Sequence, residues 1–354
     1  MRIALISTPF AAVPPKEYGG TELVVHELAD GLVARGHDVT LYATGDSRTT
    51  ARLKSLYPEA RWPPDPFRDL NHVSWAFGDA AARRFDVVHA HSPTALALSR
   101  MLPDIPLVYT IHHEEQRRIT EYYPHFPEVW YVAISADQRT RQGPLPRITT
   151  IHHGLDPARF LWTDTPGDYA CFVGRFAPQK GAHTAIDVAA RAGVPIRIAG
   201  AAHPPDRDYA RAELEPRLAL PHVSSLGAVD LAAKVPLLRN ARALLVPITW
   251  HEPFGLIIIE AMLSGCPVLA FPMGSAPELI EPGVTGYLVH DADEMAAVLR
   301  PGSPLDRFDR RGCRAHAIQR FSRVRLVEEH EQWYARVVAE GAGRRRRLAP
   351  VPAA

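Results

Sequence analysis

Short apolar runs recur along the chain, with amphipathic stretches between them. One series comprises Ile3–Ser7, Val39–Ala43, Val87–Ala90, Leu107–Ile111 and Val132–Ile134; a second comprises Ala170–Val173, Ile196–Ala199, Ala243–Val246, Pro267–Phe271 and Gly286–Val289. Such runs are apolar on both faces, as central parallel strands must be when helices cover both sides. Between them, TELVVHELADGLVARG (Thr21–Gly36) places Leu23, Val24, His26, Leu28 and Leu32 near one face. It opens at a Thr able to cap and stops at Gly36, so it predicts a helix. HTAIDVAARAG (His183–Gly193) repeats the pattern in the second half.

Strands alternating with helices predict an α/β protein with doubly wound parallel sheets. Two series predict two Rossmann-like domains, residues 1–160 and 161–322. The break falls in LDPARFLWTDTPGD, where Pro, Asp and Gly concentrate. SRVRLVEEHEQWYARVVAE closes the chain as a helix over 323–340, expected to cross back to the first domain. Two open sheets facing each other would set their strand carboxyl ends around a central cleft, where ligands of such folds bind.

Composition sharpens this in a few places. A length of 354 residues supports two domains at roughly 150 residues each. The net charge of +1 gives no global argument for nucleic acid or an anionic membrane as partner. Cys171, Cys266 and Cys313 are scattered without metal-ligand spacing, and read as small buried residues of a reduced, cytoplasmic protein. No apolar run reaches the ~18 residues of a membrane helix. MRIALISTPF suits a first strand better than the core of a signal peptide. The tail from residue 341 carries Arg344 to Arg347 in a row and is expected to be solvated and disordered. Contact with phosphate or anionic lipid is the other reading.

Three stretches carry chemistry. In PPKEYGGTE (Pro14–Glu22), Gly19 and Gly20 let the backbone approach a ligand, and Thr21 opens a helix with free N–H groups. The dinucleotide fingerprint G-x-G-x-x-G does not occur, which disfavours an NAD site. In FVGRFAPQKG (Phe172–Gly181), Arg175 and Lys180 follow a strand end, where an Arg fork and a Lys point charge suit a diphosphate. A plain turn and solvated surface cations are the competing readings of these two. In HEPFGLIIIE, a helix expected to begin near Phe254 offers the N–H groups of Gly255 and Leu256 to an anion. Glu252 stands before it, and Glu260 lies about two turns deeper. Carboxylates repel phosphate, so these acids suit hydroxyl groups flanking a diphosphate; a capping acid and an incidental helix acid are the alternative.

E-P-F-G-L-x-x-x-E, followed by A-M-x-x-G-x-P-V and S-A-P-E-L-I, resembles the retaining glycosyltransferases of family four, with the GT-B fold. Y-G-G-T-E, D-V-V-H-x-H (Asp86–His91), T-x-H (Thr110–His112), H-G-L-D (His153–Asp156) and G-R-x-x-x-x-K-G (Gly174–Gly181) occur in the family's order across nearly the whole chain. The resemblance implies that the carboxyl-terminal domain binds a nucleotide-sugar. Arg175 and Lys180 would hold the diphosphate, Glu260 the ribose hydroxyls, and Glu252 the donor sugar, with backbone contacts from Phe254, Gly255 and Leu256. Gly20 and His112 would approach phosphate and reacting sugar from the other domain. The base would lie by the strands at Ile196 and Ser225, near Gly200, Gly227 and Val229. Acceptor contacts are expected from first-domain loops, with Tyr18, Tyr122 and Tyr123 as candidates; packing is the alternative for the aromatic segment Tyr122–Phe126.

Metal chemistry is disfavoured. Asp291 and Asp293 read as helix-start residues, and the sister pair Asp206 and Asp208 matches Asp-x-Asp only loosely. His89, His91, His112, His113, His152 and His153 lack the spacing of a zinc cluster. The reading is a metal-independent glycosyltransferase without a cofactor, moving a hexose from a nucleotide-sugar, UDP first, to a soluble acceptor hydroxyl. An oligomer is possible on this reading. The alternatives are a nucleotide-sugar or sugar-phosphate binding protein without transfer, a transferase acting on lipid or polysaccharide, and a GT-B epimerase or phosphorylase.

Overall fold

The computed structural model describes residues 1–16, 19–114 and 116–348, the side chains of residues 342–348 excepted. Two compact units form. The first takes Met1–Gly154 together with the chain from Arg323 onward, and the second takes Leu155–Ser322.

The first unit holds a seven-stranded sheet: β1 (Arg2–Ile6), β2 (Asp38–Tyr42), β3 (Arg52–Lys54), β4 (Val87–Ala90), β5 (Leu107–Thr110), β6 (Trp130–Ala133) and β7 (Ile148–Thr150). All neighbours are parallel, in the order β3-β2-β1-β4-β5-β6-β7. The second unit holds β8 (Ala170–Val173), β9 (Ile196–Ala199), β10 (Val223–Gly227), β11 (Ala243–Val246), β12 (Val268–Ala270) and β13 (Gly286–Leu288). Its parallel order is β10-β9-β8-β11-β12-β13. These are the two doubly wound sheets that the apolar runs predict. The central strands are wholly buried, β4, β5, β6 and β11 at every position.

In each sheet the strand order reverses once, between β1 and β4 and between β8 and β11. The loops leaving two such strands diverge to opposite faces and open a crevice at their carboxyl ends, where ligands of this fold class bind. The reversals select four loops from the whole molecule. In the first unit they follow β1 and β4; in the second they follow β8 and β11. FVGRFAPQKG and HEPFG occupy the second pair.

The first helix (Gly20–Ala34) and the closing helix (Arg323–Leu348) pack on each other through Gly31. A Cβ at Gly31 would collide with Val327, so only glycine admits this approach. Arg323 donates to the fully buried Glu27 carboxylate, and Glu331 holds Arg35 at 2.6 Å and His37 at 2.6 Å. Trp333 meets Trp130 of β6 edge-on at 5.4 Å. The closing helix runs through Leu348, past residue 341 where the tail is expected to begin. Arginine is a good helix former, so the run Arg344–Arg347 continues the helix instead of ending it. Residues 349–354 lie outside the described residues.

Candidate active site

The two reversal loops of the second unit are joined by backbone. Thr249 N–H donates to the Gln179 carbonyl at 3.0 Å, linking the loop after β11 to the loop after β8. This brings Lys180 to Glu252 in an ion pair, both largely shielded. Trp250 Nε1 donates to the same carboxylate oxygen at 2.9 Å, and its ring faces the Lys180 ammonium at 5.0 Å. Glu252 is thus held by a cation and an indole. Its backbone carbonyl accepts from Ser275 N–H at 3.1 Å.

The helix after β11 begins at Leu256, two residues later than Phe254. Gly255 is its N-cap at φ 79°, a left-handed conformation that side chains resist, which explains the glycine there. Phe254 is buried, its carbonyl accepting from Ser275 Oγ at 2.6 Å and its ring meeting Phe321 at 6.4 Å. Glu260, in the middle of this helix, is 2% exposed. Lys234 Nζ, from the Leu231–Asn240 helix, donates to its Oε1 at 2.7 Å. Among the described residues no donor reaches Oε2, which keeps its acceptor capacity.

Arg175 faces Asp206 at 3.4 Å and is one-third exposed. Gly200 and Gly227 lie at the carboxyl ends of β9 and β10, with Gly200 N–H donating to the Gly227 carbonyl at 2.8 Å. Gly174 N–H bonds the Ala199 carbonyl at 3.0 Å, so three strand ends are tied side by side. A Cβ at Gly200 would run into the Gly174 carbonyl oxygen. Val229 follows in the same region, half-buried.

In the first unit the reversal point is lined by imidazoles. His89 bonds Thr110 Oγ1 at 2.7 Å and Tyr334 Oη at 2.6 Å. His91 Nδ1 shares a hydrogen with His112 Nε2 at 2.8 Å, and His112 stacks on His153 at 5.5 Å. Burial, with the His113 and His330 imidazoles adding to it, pushes His112 down to about 3, and burial, with Arg325 adding to it, pushes His330 down to about 4. His89, His91 and His153 are lowered for the same first reason, desolvation. These rings are neutral at pH 7. Gly20 is the first residue of the first helix. Glu22, one turn in, is buried and accepts from Thr8 Oγ1; burial raises its pKa above the usual carboxylate range.

Tyr18 lies outside the described residues. Tyr123 is fully buried in the core, its hydroxyl 2.8 Å from His113 Nε2, so packing describes it and an acceptor wall does not. Tyr122 is half-buried, edge-on to Phe126 at 4.7 Å. Asp291 caps a helix, accepting from Glu294 N–H at 2.8 Å, and Asp293 pairs with Arg191 at 2.7 Å. Among the described residues no group of three or more His, Cys, Asp or Glu side chains is arranged to hold a metal.

Sequence reading missed Lys234, Trp250 and Glu22. Glu22 stands in the Y-G-G-T-E motif without a role assigned to it, and nothing in the spacing of Lys234 or Trp250 signals one. Lys234 becomes visible only once the helices before and after β11 are known to lie side by side.

Two doubly wound domains, each with motif-bearing loops at its reversal point, define a GT-B protein. Residues 18–159 match Glycosyltransferase Family 4, and residues 162–300 match Glycosyl transferases group 1. The chain belongs to the family-four glycosyltransferases and is a glycosyltransferase of GT-B type. It is 29% identical to a glycogen synthase of Mycobacterium tuberculosis over 360 residues, covering 85% of either chain. It resembles the structure of AviGT4, a glycosyltransferase involved in avilamycin A biosynthesis, with a TM-score of 0.76 and 25% identity over 96% of this chain and 98% of that one. Its fold also matches Anabaena HepE in complex with UDP and glucose, with a TM-score of 0.74 and 22% identity over 95% and 99% of the two chains. No helix among the described residues is long and apolar enough to cross a membrane.

Proposed function

We propose that the protein is a retaining, metal-independent hexosyltransferase that uses a nucleotide-sugar, UDP first, and a soluble acceptor hydroxyl. The observation that carries this reading is the pair of lysine-held carboxylates, Lys180–Glu252 and Lys234–Glu260, at the reversal point of the second unit. A diphosphate seated over Gly255 and Leu256 would meet the positive end of that helix. Arg175 and Lys180 would exchange Asp206 and Glu252 for phosphate oxygens. Glu252 is then released toward hydroxyls of the sugar. Glu260 Oε2 accepts from the ribose, while Lys234 holds the carboxylate in place.

Transfer breaks the bond between the anomeric carbon and the diphosphate oxygen, and the electron pair stays on that oxygen. The acceptor oxygen bonds the anomeric carbon from the same face, and its proton passes to the departing phosphate. Arg175, Lys180 and the helix start are fixed positive potential aimed at the charge that develops, a form of stabilisation that needs no reorganisation. Neutral His112 serves as a hydrogen-bond partner for a sugar hydroxyl, and Gly20 as a backbone contact. Gly200, Gly227 and Val229 line the base. HepE, solved with UDP, supports UDP as the first trial.

The test is release of nucleoside diphosphate from UDP-, GDP- and ADP-sugars, with and without chelator. One nucleotide series should turn over, unaffected by chelation. Binding without any release, across sugars and acceptors, would favour a binding protein; activity abolished by chelator would overturn metal independence.

A further inference from the structure

The segment between β3 and the Pro66–Ala81 helix carries a second candidate site. It includes Trp62, 63% exposed, and the start of the helix adds Phe67, 83% exposed, and the exposed Leu70. Large apolar side chains left in water on adjacent positions mark a contact surface more than an isolated one does. A cavity of about 570 Å³ opens here, lined by Tyr57, Arg61, Trp62, Phe67, Arg68 and Asn71 among others. That volume is in the range of small-ligand sites.

The walls are preformed. The Arg68 guanidinium lies 3.7 Å over the Tyr57 ring and donates to the Glu59 carbonyl at 2.7 Å. Asn71 Nδ2 donates to Tyr57 Oη at 2.9 Å. Asp65 caps the helix, accepting from Phe67 N–H at 2.9 Å, which fixes where Phe67 leaves the backbone. The position is also telling. Gly45 N–H bonds the Tyr57 carbonyl, Ala60 N–H bonds Asp46, and Arg61 N–H bonds the Pro9 carbonyl. The segment therefore lies over the loops leaving β1 and β2, on the carboxyl side of the sheet, where this fold class takes ligands.

We propose that this groove holds a neutral oligosaccharide, the saccharide part of the acceptor; the link to acceptor rests on the transferase reading above. The C–H face of a pyranose ring is apolar with slightly positive hydrogens, and aromatic faces carry negative charge density. Trp62 and Phe67 offer such faces, and Arg61, Asp65 and Asn71 offer donors and acceptors for the ring hydroxyls. Charge separates this occupant from a membrane. Arg61 and Arg68 are balanced by Glu59 and Asp65, so the patch has no net pull on anionic lipid.

The experiment titrates maltoheptaose and cellohexaose into the full chain and into Trp62→Ala and Phe67→Ala by calorimetry. UDP binding and acceptor-free hydrolysis of the donor are measured in parallel. One glycan should bind, and each variant should weaken it about tenfold, the scale of one lost aromatic contact, with UDP binding unchanged. Absence of binding by both glycans at millimolar concentration, or binding indifferent to both variants, would overturn the proposal. Sedimentation with phosphatidylcholine–phosphatidylglycerol vesicles that depends on Trp62 and Phe67, without glycan binding, would overturn it in favour of a membrane. Glycan binding that persists while no nucleotide-sugar releases its nucleotide, with or without acceptors, would instead reject the transferase reading and leave the groove standing.

Discussion

The two reversal points share a topology and differ in electrostatic content. In the first unit the strands β1 and β4 end among buried imidazoles, all pushed toward the neutral form by desolvation. In the second unit the loops after β8 and β11 and the helices on either side of β11 carry charge in pairs, Lys180 with Glu252 and Lys234 with Glu260. The first site holds its imidazoles uncharged, and the second stores charge in balanced form. Paired charges remain ionised when water is displaced, whereas unpaired ones would neutralise. On the function proposed above, the charged leaving group would sit in the second unit and neutral hydroxyls would meet the first.

The contrast can be broken by substitution. Lys180→Ala should have the largest effect, because it removes a cation aimed at the leaving group and strands Glu252. Turnover is expected to fall about 10²–10³-fold, measured as nucleotide release. Gly200→Ala should destabilise the second unit by about 2–4 kcal/mol, read from the denaturant midpoint, since its Cβ meets backbone at an unfavourable φ of 153°. A midpoint within error of the parent would show that the three tied strand ends are loose.

The first unit should instead respond to pH. Its buried histidines have folded pKa values below the unfolded value of about 6.5. The unfolded chain therefore binds more protons than the folded one once pH drops below that value, and stability is lost as pH falls. The loss should run from about pH 6.5 toward the folded values, about 4 for His330 and about 3 for His112. A melting temperature that is flat between about pH 7.5 and pH 5 would contradict the neutral cluster. Asp291→Ala should have the smallest effect, about 1 kcal/mol from a lost helix cap, with donor binding untouched. A loss of donor binding in that variant would reopen a metal role for the Asp291 and Asp293 pair.

Much of the fold was legible because burial on both faces leaves an apolar run that periodicity detects. Val87–Ala90, Ala170–Val173, Ile196–Ala199 and Ala243–Val246 match their strands end to end. The edge strands β3 and β7 were not foreseen: RLK and ITT are short, partly exposed and polar, so nothing marks them. The site divides in the same way. Glu252 and Glu260 stand in one continuous stretch, and their spacing reads directly. Lys234 and Trp250 act through contacts that only the packing of neighbouring helices and loops creates. At Tyr123 the packing alternative holds, since an aromatic in a loop segment can as well be core as surface.

Calorimetric titration of UDP into the parent chain, Glu260→Ala and His112→Ala tests the division most directly. Glu260→Ala should weaken UDP about 10–100-fold by losing charge-assisted hydrogen bonds to hydroxyls, while His112→Ala should leave UDP affinity nearly unchanged and lower sugar transfer. Equal affinity for UDP in Glu260→Ala and the parent would contradict the assignment of the second reversal point as the donor seat.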